Sequence, residues 1–213
     1  MGEKIKKLIK IIYRSVLKII YPNNDRCIIC DDMTYEGICY KCRNKIVVCH
    51  NKNELCIGYY SGVLRELILR FKYNKDFNSA EVLIELINEK VKEVDKDFIL
   101  TYIPIGEKSM RTRGFNQCEY IAKEIGFINN LKVQETLKKV KETEIQKTLK
   151  KEERLKNIVG AFGIIDSDSI KNKKFILIDD VITTGATIEE GRKVLKEAGA
   201  KEIKILTLAK SHI

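Results

Sequence analysis

Apolar residues recur at helix-like and strand-like intervals along most of this 213-residue chain. In residues 3–20 the apolar positions alternate with basic ones every three or four residues, which predicts an amphipathic helix that Pro22 stops. The same periodicities predict further helices over 63–73, 79–93, 119–126 and 188–198, and strands over 98–104, 174–179 and 202–209. Gly126 and Gly199 are expected to close two of these helices. Strands that alternate with helices indicate an α/β fold with a mostly parallel sheet covered on both faces.

One of the predicted strands runs into the string "ILIDDVITTGAT", residues 176–187. Ligands of parallel α/β sheets bind beyond the carboxyl ends of the strands, where this pattern places Asp179 and Asp180. The turn that follows opens a helix, so its backbone N–H groups and the helix dipole favour an anion. The turn consists of Thr183, Thr184, Gly185, Ala186 and Thr187. Any one of these residues is equally consistent with an ordinary strand-to-helix turn. The whole string predicts a phosphate site beside two acceptors for vicinal sugar hydroxyls.

Six of the seven cysteines lie between positions 27 and 56. Such a cluster is a disulfide framework in a secreted protein or a metal site in a cytosolic one. No secretory signal pattern and no run of about 18 apolar residues occurs, so we expect a cytoplasmic protein without a transmembrane segment, and a metal site. Two C-x-x-C pairs predict a four-thiolate zinc site, formed by Cys27, Cys30, Cys39 and Cys42. Cys49, His50 and Cys56 lie just beyond and could substitute as ligands, but packing or incidental exposure is favoured for each. Cys118, next to "RGFNQ", is expected to be a buried helix residue.

The segment "PIGEKSMRTRGFNQ", residues 104–117, follows another predicted strand and is read as a loop. Its turn and cations can receive a second anion such as pyrophosphate. The candidate residues are Ile105, Gly106, Lys108, Arg111 and Arg113. The net charge of +10 also suggests anionic partners, although 31 lysines against nine arginines fit a general compositional bias equally well. The charge concentrates in residues 3–20, at +5, and 132–156, at +4. These segments can meet single-stranded DNA, the inner face of an anionic membrane, or only solvent.

The string "ILIDDVITTGAT" resembles the phosphoribosyl-pyrophosphate (PRPP) signature of type I phosphoribosyltransferases. The resemblance implies that Asp179 and Asp180 bind the ribose 2′- and 3′-hydroxyls, and that the turn from Thr183 to Thr187 binds the 5-phosphate. Purine-salvage enzymes of this type usually carry an acidic general base at the position of Thr183. Threonine cannot act as a base near neutral pH, so purine salvage is disfavoured.

The chain as a whole resembles the ComF family, phosphoribosyltransferase-like proteins associated with bacterial competence for DNA uptake. The order of features carries this resemblance: a basic N-terminal helix, the four cysteines, "PIGEKSMRTRGFNQ", "TEIQKTLKKEERLKNIVGAF" and "ILIDDVITTGAT". One departure is Lys141, where the family pattern has arginine. The resemblance implies a basic helix over 1–22, a zinc segment over 23–55 and a type I phosphoribosyltransferase core over 56–213.

The resemblance also implies PRPP bound with Mg²⁺, and a role with single-stranded DNA and the competence machinery. Three function classes stay open. The first is a binding protein that handles single-stranded DNA and keeps a sugar-phosphate pocket. The second is an active phosphoribosyltransferase of nucleotide metabolism with an unidentified acceptor. The third is a structural adaptor with an inactive pocket. Thr183 and the short segment after Ala209, which leaves no C-terminal hood over a base, argue against a conventional salvage enzyme.

Overall fold

The computed structural model describes residues 12, 16, 25–34, 36–49, 55–141 and 158–211. Its helices are α1 (Tyr40–Arg43), α2 (Gly62–Asn74), α3 (Phe77–Val91), α4 (Glu107–Arg113), α5 (Gln117–Asn129) and α6 (Ala186–Glu197). Its strands are β1 (Leu55–Tyr59), β2 (Phe98–Tyr102), β3 (Leu137–Lys139), β4 (Phe162–Ile164), β5 (Lys174–Ile182) and β6 (Glu202–Lys210).

The main sheet has four parallel strands in the order β1–β6–β5–β2. Parallel neighbours require crossover connections, and helices α2 to α6 supply them. A separate antiparallel pair is formed by β3 and β4. Since parallel strands end at one edge of the sheet, the chain segments after β2 and β5 come together there. This arrangement confirms the predicted α/β class with a mostly parallel sheet.

Both faces of the sheet are covered, as the continuous apolar runs predicted. Alternate residues of β5 point to opposite sides: Ile176 and Ile178 pack with α2, α3 and α5, whereas Phe175 and Leu177 pack with α6 and the β3–β4 pair. All four side chains are fully buried. A strand buried on both faces has no room for polar side chains until it ends, so the first carboxylates of β5 mark the edge of the core.

Several element boundaries differ from the sequence predictions. Strand β5 extends to Ile182, so the two aspartates lie within its last residues rather than beyond it. The segment read as a loop after β2 contains α4, a seven-residue helix without any buried residue. The main sequence signal of a helix is an apolar stripe. Helix α4 lies between solvent and the cleft and has no such stripe, so the sequence did not indicate it. Strand β1 was also missed, because it lies inside the cysteine-rich segment.

Helix α5 shows why the prediction that Gly126 closes it was wrong. The helix continues to Asn129, and Asn130 is the left-handed residue that ends it, with φ of 53°. Gly126 serves close packing instead: a Cβ atom there would lie 3.0 Å from the carbonyl oxygen of Leu131 and would overlap Val133. Asparagine tolerates the left-handed conformation because its short polar side chain bonds locally, so it can replace glycine as a terminator.

The cysteine segment packs directly on the helical layer of the domain. Buried Ile38, Cys42 and Ile46 belong to the same hydrophobic cluster as α2 and α3. At the contact, Arg43 donates to Glu85 of α3 over 2.7 Å. The structure of the segment is therefore coupled to that of the α/β domain.

None of the helices in the described part of the chain is long and apolar enough to cross a membrane. The predicted helix over 3–20 lies outside the described residues, apart from residues 12 and 16. Most of the charged segment 132–156 also lies outside them, as do Pro22 and His50.

Candidate functional site

A cleft of about 620 Å³ opens at the carboxyl edge of the sheet, between the segments that follow β2 and β5. It brings together residues that are far apart in sequence. From the predicted sugar-phosphate string it contains Asp179, Asp180, Thr183, Thr184, Gly185, Ala186 and Thr187. From the predicted second anion loop it contains Ile105, Gly106, Lys108 and Arg113. Arg111 is not part of the lining; it points to solvent and pairs with Glu107 of the preceding turn at 3.3 Å.

The aspartate pair lies near the end of β5, with Asp180 buried and Asp179 half-buried. The Oδ1 atom of Asp179 accepts the backbone N–H of Asp180 at 2.8 Å and lies 3.9 Å from the thiol of Cys118. Two donors, the side chains of Lys72 and Gln117, converge on Oδ2 of Asp180. Among the described residues no group donates to Oδ2 of Asp179 or Oδ1 of Asp180. One oxygen of each carboxylate is therefore available to a ligand hydroxyl.

Two residues reach Asp180 from distant helices. Lys72, in the last turn of α2, places Nζ 2.6 Å from Oδ2, and both side chains are nearly buried, 13% and 11% exposed. Gln117 is the first residue of α5, which Asn116 caps by accepting the N–H groups of Cys118 and Glu119. Gln117 is 2% exposed, and its Oε1 atom has no hydrogen-bond partner in the described structure. A buried acceptor without a partner is rare in folded proteins, and this one belongs to the side chain that contacts Asp180.

The two carboxylates have opposite pKa shifts. Burial, reinforced by the charge of Asp180, raises the pKa of Asp179 to about 7. Burial also acts to raise the pKa of Asp180, but the Lys72 ammonium group and the hydrogen bonds from Lys72 and Gln117 outweigh it, and the net shift is downward. Burial acts to lower the pKa of Lys72, but the charge of Asp180 raises it above its usual range. Asp180 and Lys72 therefore form an ion pair near neutral pH, and the pKa of Asp179 stays raised by burial and by the charge of Asp180.

The turn after β5 has the backbone of an anion site. Gly185 is the N-cap of α6 and has φ of 79°, which favours glycine. The residues of this turn line the cleft, and the first N–H groups of a helix have no acceptor within it, which suits an anion. A Cβ atom at Gly185 would meet nothing within 4 Å, so the turn requires glycine for its conformation and not for lack of space.

Aromatic and basic side chains form the opposite wall. Tyr60 and Tyr73 line the cleft. The guanidinium of Arg113 lies 5.5 Å from the Tyr73 ring centroid, and that of Arg65 lies 6.0 Å from the Tyr60 centroid. Nearby on β1, the Tyr59 ring has the Lys210 ammonium at 5.6 Å. Each ring is thus accompanied by a cation, which is the composition of a surface that stacks bases and attracts phosphates.

The sequence predictions missed Lys72 and assigned Gln117 only to a helix start. Lys72 belongs to a helix whose apolar period is strong, and a lysine on such a helix normally faces solvent. Its partner is more than 100 positions away, so no local pattern indicates the contact. A signal was present for Gln117, because it begins a helix near the carboxyl edge of the sheet, where ligands of parallel α/β folds bind.

The four predicted cysteines form the second candidate site. Their Sγ atoms all lie within 4.8 Å of one another, and Cys30 and Cys39 approach to 3.5 Å. Tetrahedral zinc with Zn–S bonds of about 2.3 Å holds sulfur atoms roughly 3.8 Å apart, so the spacing fits one ion. The local backbone explains the convergence: Cys27 N–H bonds to Asp32 O at 2.7 Å around a tight turn, and Cys39 begins α1. These cysteines can hold a metal ion.

Cys49 and Cys56 are buried outside this group, with their Sγ atoms 3.2 Å apart. Cys118 is buried beside the aspartate pair, and burial raises the pKa of its thiol well above the usual range. Its position in α5 confirms the prediction of a buried helix residue, and it also lines the cleft. Together with Asp179 and Asp180 it forms a second set of potential metal ligands, with ligand atoms within 4.8 Å.

The parallel sheet and the cleft at its carboxyl edge define a phosphoribosyltransferase-type domain. The family model described as "Phosphoribosyl transferase domain" matches residues 121–213. Among solved structures, the glutamine PRPP amidotransferase of Bacillus subtilis is 16% identical with a TM-score of 0.43, covering 66% of this chain and 30% of that one.

Two curated relatives extend the similarity to most of the chain. The competence protein ComFC of Streptococcus pneumoniae is 30% identical over 90% of this chain and 91% of its own length. The competence protein F of Haemophilus influenzae is 28% identical over 73% of this chain and 71% of its own length. The chain therefore belongs to the ComF family of competence proteins, which confirms the resemblance read from its motifs.

Proposed function

We propose that this protein binds PRPP or a related ribose 5-phosphate in the cleft, together with Mg²⁺, and handles single-stranded DNA during competence. In this proposal residues 23–55 form a zinc-binding segment and residues 56–213 the phosphoribosyltransferase-like domain. The carrying observation is the pair of unoccupied carboxylate oxygens on Asp179 and Asp180 beside the Gly185 turn. The two carboxylate oxygens can accept hydrogen bonds from a vicinal diol, and the turn can bind a phosphate. A ribose 5-phosphate carries both groups.

The residues present fit the ligand chemistry. Thr183–Thr187 would receive the 5-phosphate, while Lys108 and Arg113 of the α4 segment would face a pyrophosphate group. Gln117 would hold Asp180 in place by donating to its Oδ2 atom. Mg²⁺ takes oxygen ligands, keeps several waters and neutralises phosphate charge, so it would reach this cleft mainly through the phosphates of the ligand.

Turnover would consist of displacement at ribose C1 with pyrophosphate leaving. Thr183 lacks the proton affinity of a general base, so the chain offers no acid–base group at that position. The binding class of function is therefore favoured over purine salvage. Release of pyrophosphate from PRPP without an added acceptor would support an enzyme, and its absence would favour a sensor or carrier of the ligand.

We expect PRPP binding to require Mg²⁺ and to weaken in two site variants. Asp180→Asn removes a charged acceptor, a contact worth roughly 1.5 to 3 kcal/mol. Gly185→Val should weaken binding more, because valine is strained at φ of 79° and the turn must deform. Calorimetry would measure the affinities, with exposed Asp168→Asn as the matched control. Equal affinity in wild type, both variants and the control would refute the site.

The DNA-handling role is supported by the three tyrosine–cation pairs. Base stacking on aromatic rings contributes about 1 to 3 kcal/mol per base. We expect Tyr60→Ala to weaken binding of a single strand, whereas Tyr40→Ala should not. Tyr40 is 78% exposed on the cysteine segment, and no cation from the described residues lies over its ring.

The comparison must separate DNA handling from general polyanion binding. Log K for single strands should fall with log salt, by about 0.7 per phosphate contact. At matched salt, single strands should bind more tightly than duplex or heparin. If all three polyanions bind alike, and only lysine substitutions matter, the binding is nonspecific charge attraction and the DNA role is refuted.

A further inference from the structure

A carboxylate pair at the end of a buried strand requires compensating positive charge. Two adjacent ionised groups repel, and removing them from water costs several kcal/mol per ion unless they are paired. In many sites that bind acidic or phosphorylated ligands, a divalent metal supplies this charge. In this cleft the positive charge comes from a lysine of the protein itself. Lys72 Nζ lies 2.6 Å from Asp180, and the lysine is almost as buried as the aspartate.

The position of Lys72 is fixed by the core. It follows Phe71, which is fully buried and packs against Phe115 and Tyr120 at ring-centroid distances of 5.2 and 5.5 Å. The helix ends at Asn74, so the ammonium group lies in the last turn, where the helix dipole favours a cation. A lysine held in this way loses less conformational freedom on pairing than a surface lysine does.

The contacts at Asp180 leave no place for a metal ion on the same oxygen. Oδ2 accepts from both Lys72 and Gln117, so an ion bound directly there would have to displace at least one of these donors. The other oxygen of each carboxylate accepts no hydrogen bond from the described residues, and a hydroxyl group can donate to it without displacing the lysine. At the carboxylate pair the cleft thus contains a cation, the Lys72 ammonium group, and two carboxylate oxygens that can accept hydrogen bonds from a ligand.

We infer that Lys72 is the resident cation of the carboxylate pair: it takes the position at Asp180 that a divalent ion would otherwise occupy, so the ribose subsite works without a metal bound to the aspartates. Mg²⁺ then enters only with the phosphates of a ligand. This inference rests on the proposed function, because it concerns how that subsite holds a ribose diol. It makes Lys72 a positioning residue, which acts through Asp180.

The first test uses the zinc-loaded full chain and Mn²⁺ as the probe, without any sugar phosphate. Electron paramagnetic resonance should show no saturable Mn²⁺ binding to wild type or Lys72→Arg. Lys72→Met should bind about one ion per chain, since the pair loses its cation. The double variant Lys72→Met with Asp180→Asn should return to wild-type behaviour. Saturable binding to wild type that Asp180→Asn abolishes would overturn the inference, as would a folded Lys72→Met protein that binds no Mn²⁺.

The second test begins with wild type, so its main result does not depend on the folding of a variant. Ribose 5-phosphate, measured by calorimetry in metal-depleted buffer, should bind with an affinity within about twofold of that in Mg²⁺. Lys72→Met should bind it roughly ten- to a hundredfold more weakly without metal, and Mn²⁺ should restore most of the loss. Wild-type binding that strictly requires the metal would overturn the inference. If ribose 5-phosphate binds in neither buffer, the proposed function fails, and the Mn²⁺ titration still decides the role of Lys72.

Discussion

Replacing Cys42 with serine is expected to abolish zinc binding and to unfold the cysteine segment. Cys42 is 2% exposed and belongs both to the thiol cluster and to the hydrophobic cluster shared with α2 and α3. A segment of this size buries little apolar surface of its own, so we expect its folding to depend on a bound metal. Binding of structural zinc contributes about 10 to 16 kcal/mol in small metal-dependent folds, so its loss exceeds the stability of most domains.

The effect should extend into the α/β domain because the two parts share a core. Gly37 illustrates the contact: a Cβ atom there would lie 2.7 Å from Val82 of α3. We therefore expect a lower melting temperature for the whole protein as well as rapid proteolysis within residues 25–49. Elemental analysis should give about one zinc per chain in wild type and none in Cys42→Ser.

Cys49→Ser provides the matched control. Cys49 is also buried, 4% exposed, in the same stretch of chain, but its Sγ contacts Cys56 rather than the four-thiol cluster. The variant should keep its zinc and lose only the modest stability of an altered core contact. Wild-type protein free of zinc, or equal zinc loss in both variants, would contradict the four-cysteine site. A Cys27–Cys42 disulfide in protein isolated from a reducing compartment would do so as well.

The sequence predicted well those parts of the fold that are determined by short stretches of neighbouring residues. The apolar runs of β2, β5 and β6 and the periodic helices α2, α3, α5 and α6 were found, because burial imposes a period on the sequence. The thiol cluster was found because two C-x-x-C pairs bring four ligands together through short turns. The "ILIDDVITTGAT" string combines a buried strand, a positive-φ glycine and a helix start within twelve residues, so its structure is also local.

The features that were missed depend on contacts between distant segments. Nothing near Lys72 in the sequence indicates that α2 ends against the aspartates, since that contact follows from the order of strands in the sheet. The end of β5 was placed early because aspartate has low strand propensity, yet pairing with β6 continues through Val181 and Ile182. Helix α4 was missed because no residue in it is buried. Tertiary context, rather than local preference, decided each of these cases.

The second large effect we expect is a pH-dependent gain of stability in Asp179→Asn. Burial and the charge of Asp180 raise the pKa of Asp179 to about 7, whereas an unfolded aspartate titrates near about 3.9. Between these values the folded state binds the proton more tightly than the unfolded state does. The favourable contribution of the protonated group is complete below about pH 4 and is lost as the pH rises towards 7, by about 1.4 kcal/mol per unit. Asp180 does not interfere, because its pKa is lowered and its contribution is lost only in acid.

The asparagine variant cannot ionise, so it should be about as stable as wild type in acid and should exceed it progressively towards pH 8. The difference has an upper limit of about 4 kcal/mol, the product of the slope and the shift. Asparagine can still accept the N–H of Asp180, which bonds Oδ1 of Asp179 at 2.8 Å, so the local backbone is retained. Urea unfolding of both proteins from pH 5.5 to 8 measures the difference in the free energy of unfolding. Any pH dependence of zinc binding is the same in both proteins and therefore does not contribute to this difference. Exposed Asp168→Asn should give a difference that does not vary with pH. If the stability difference for Asp179→Asn is equally independent of pH, or falls as the pH rises, the pKa of Asp179 is not raised in the folded state and the prediction is wrong.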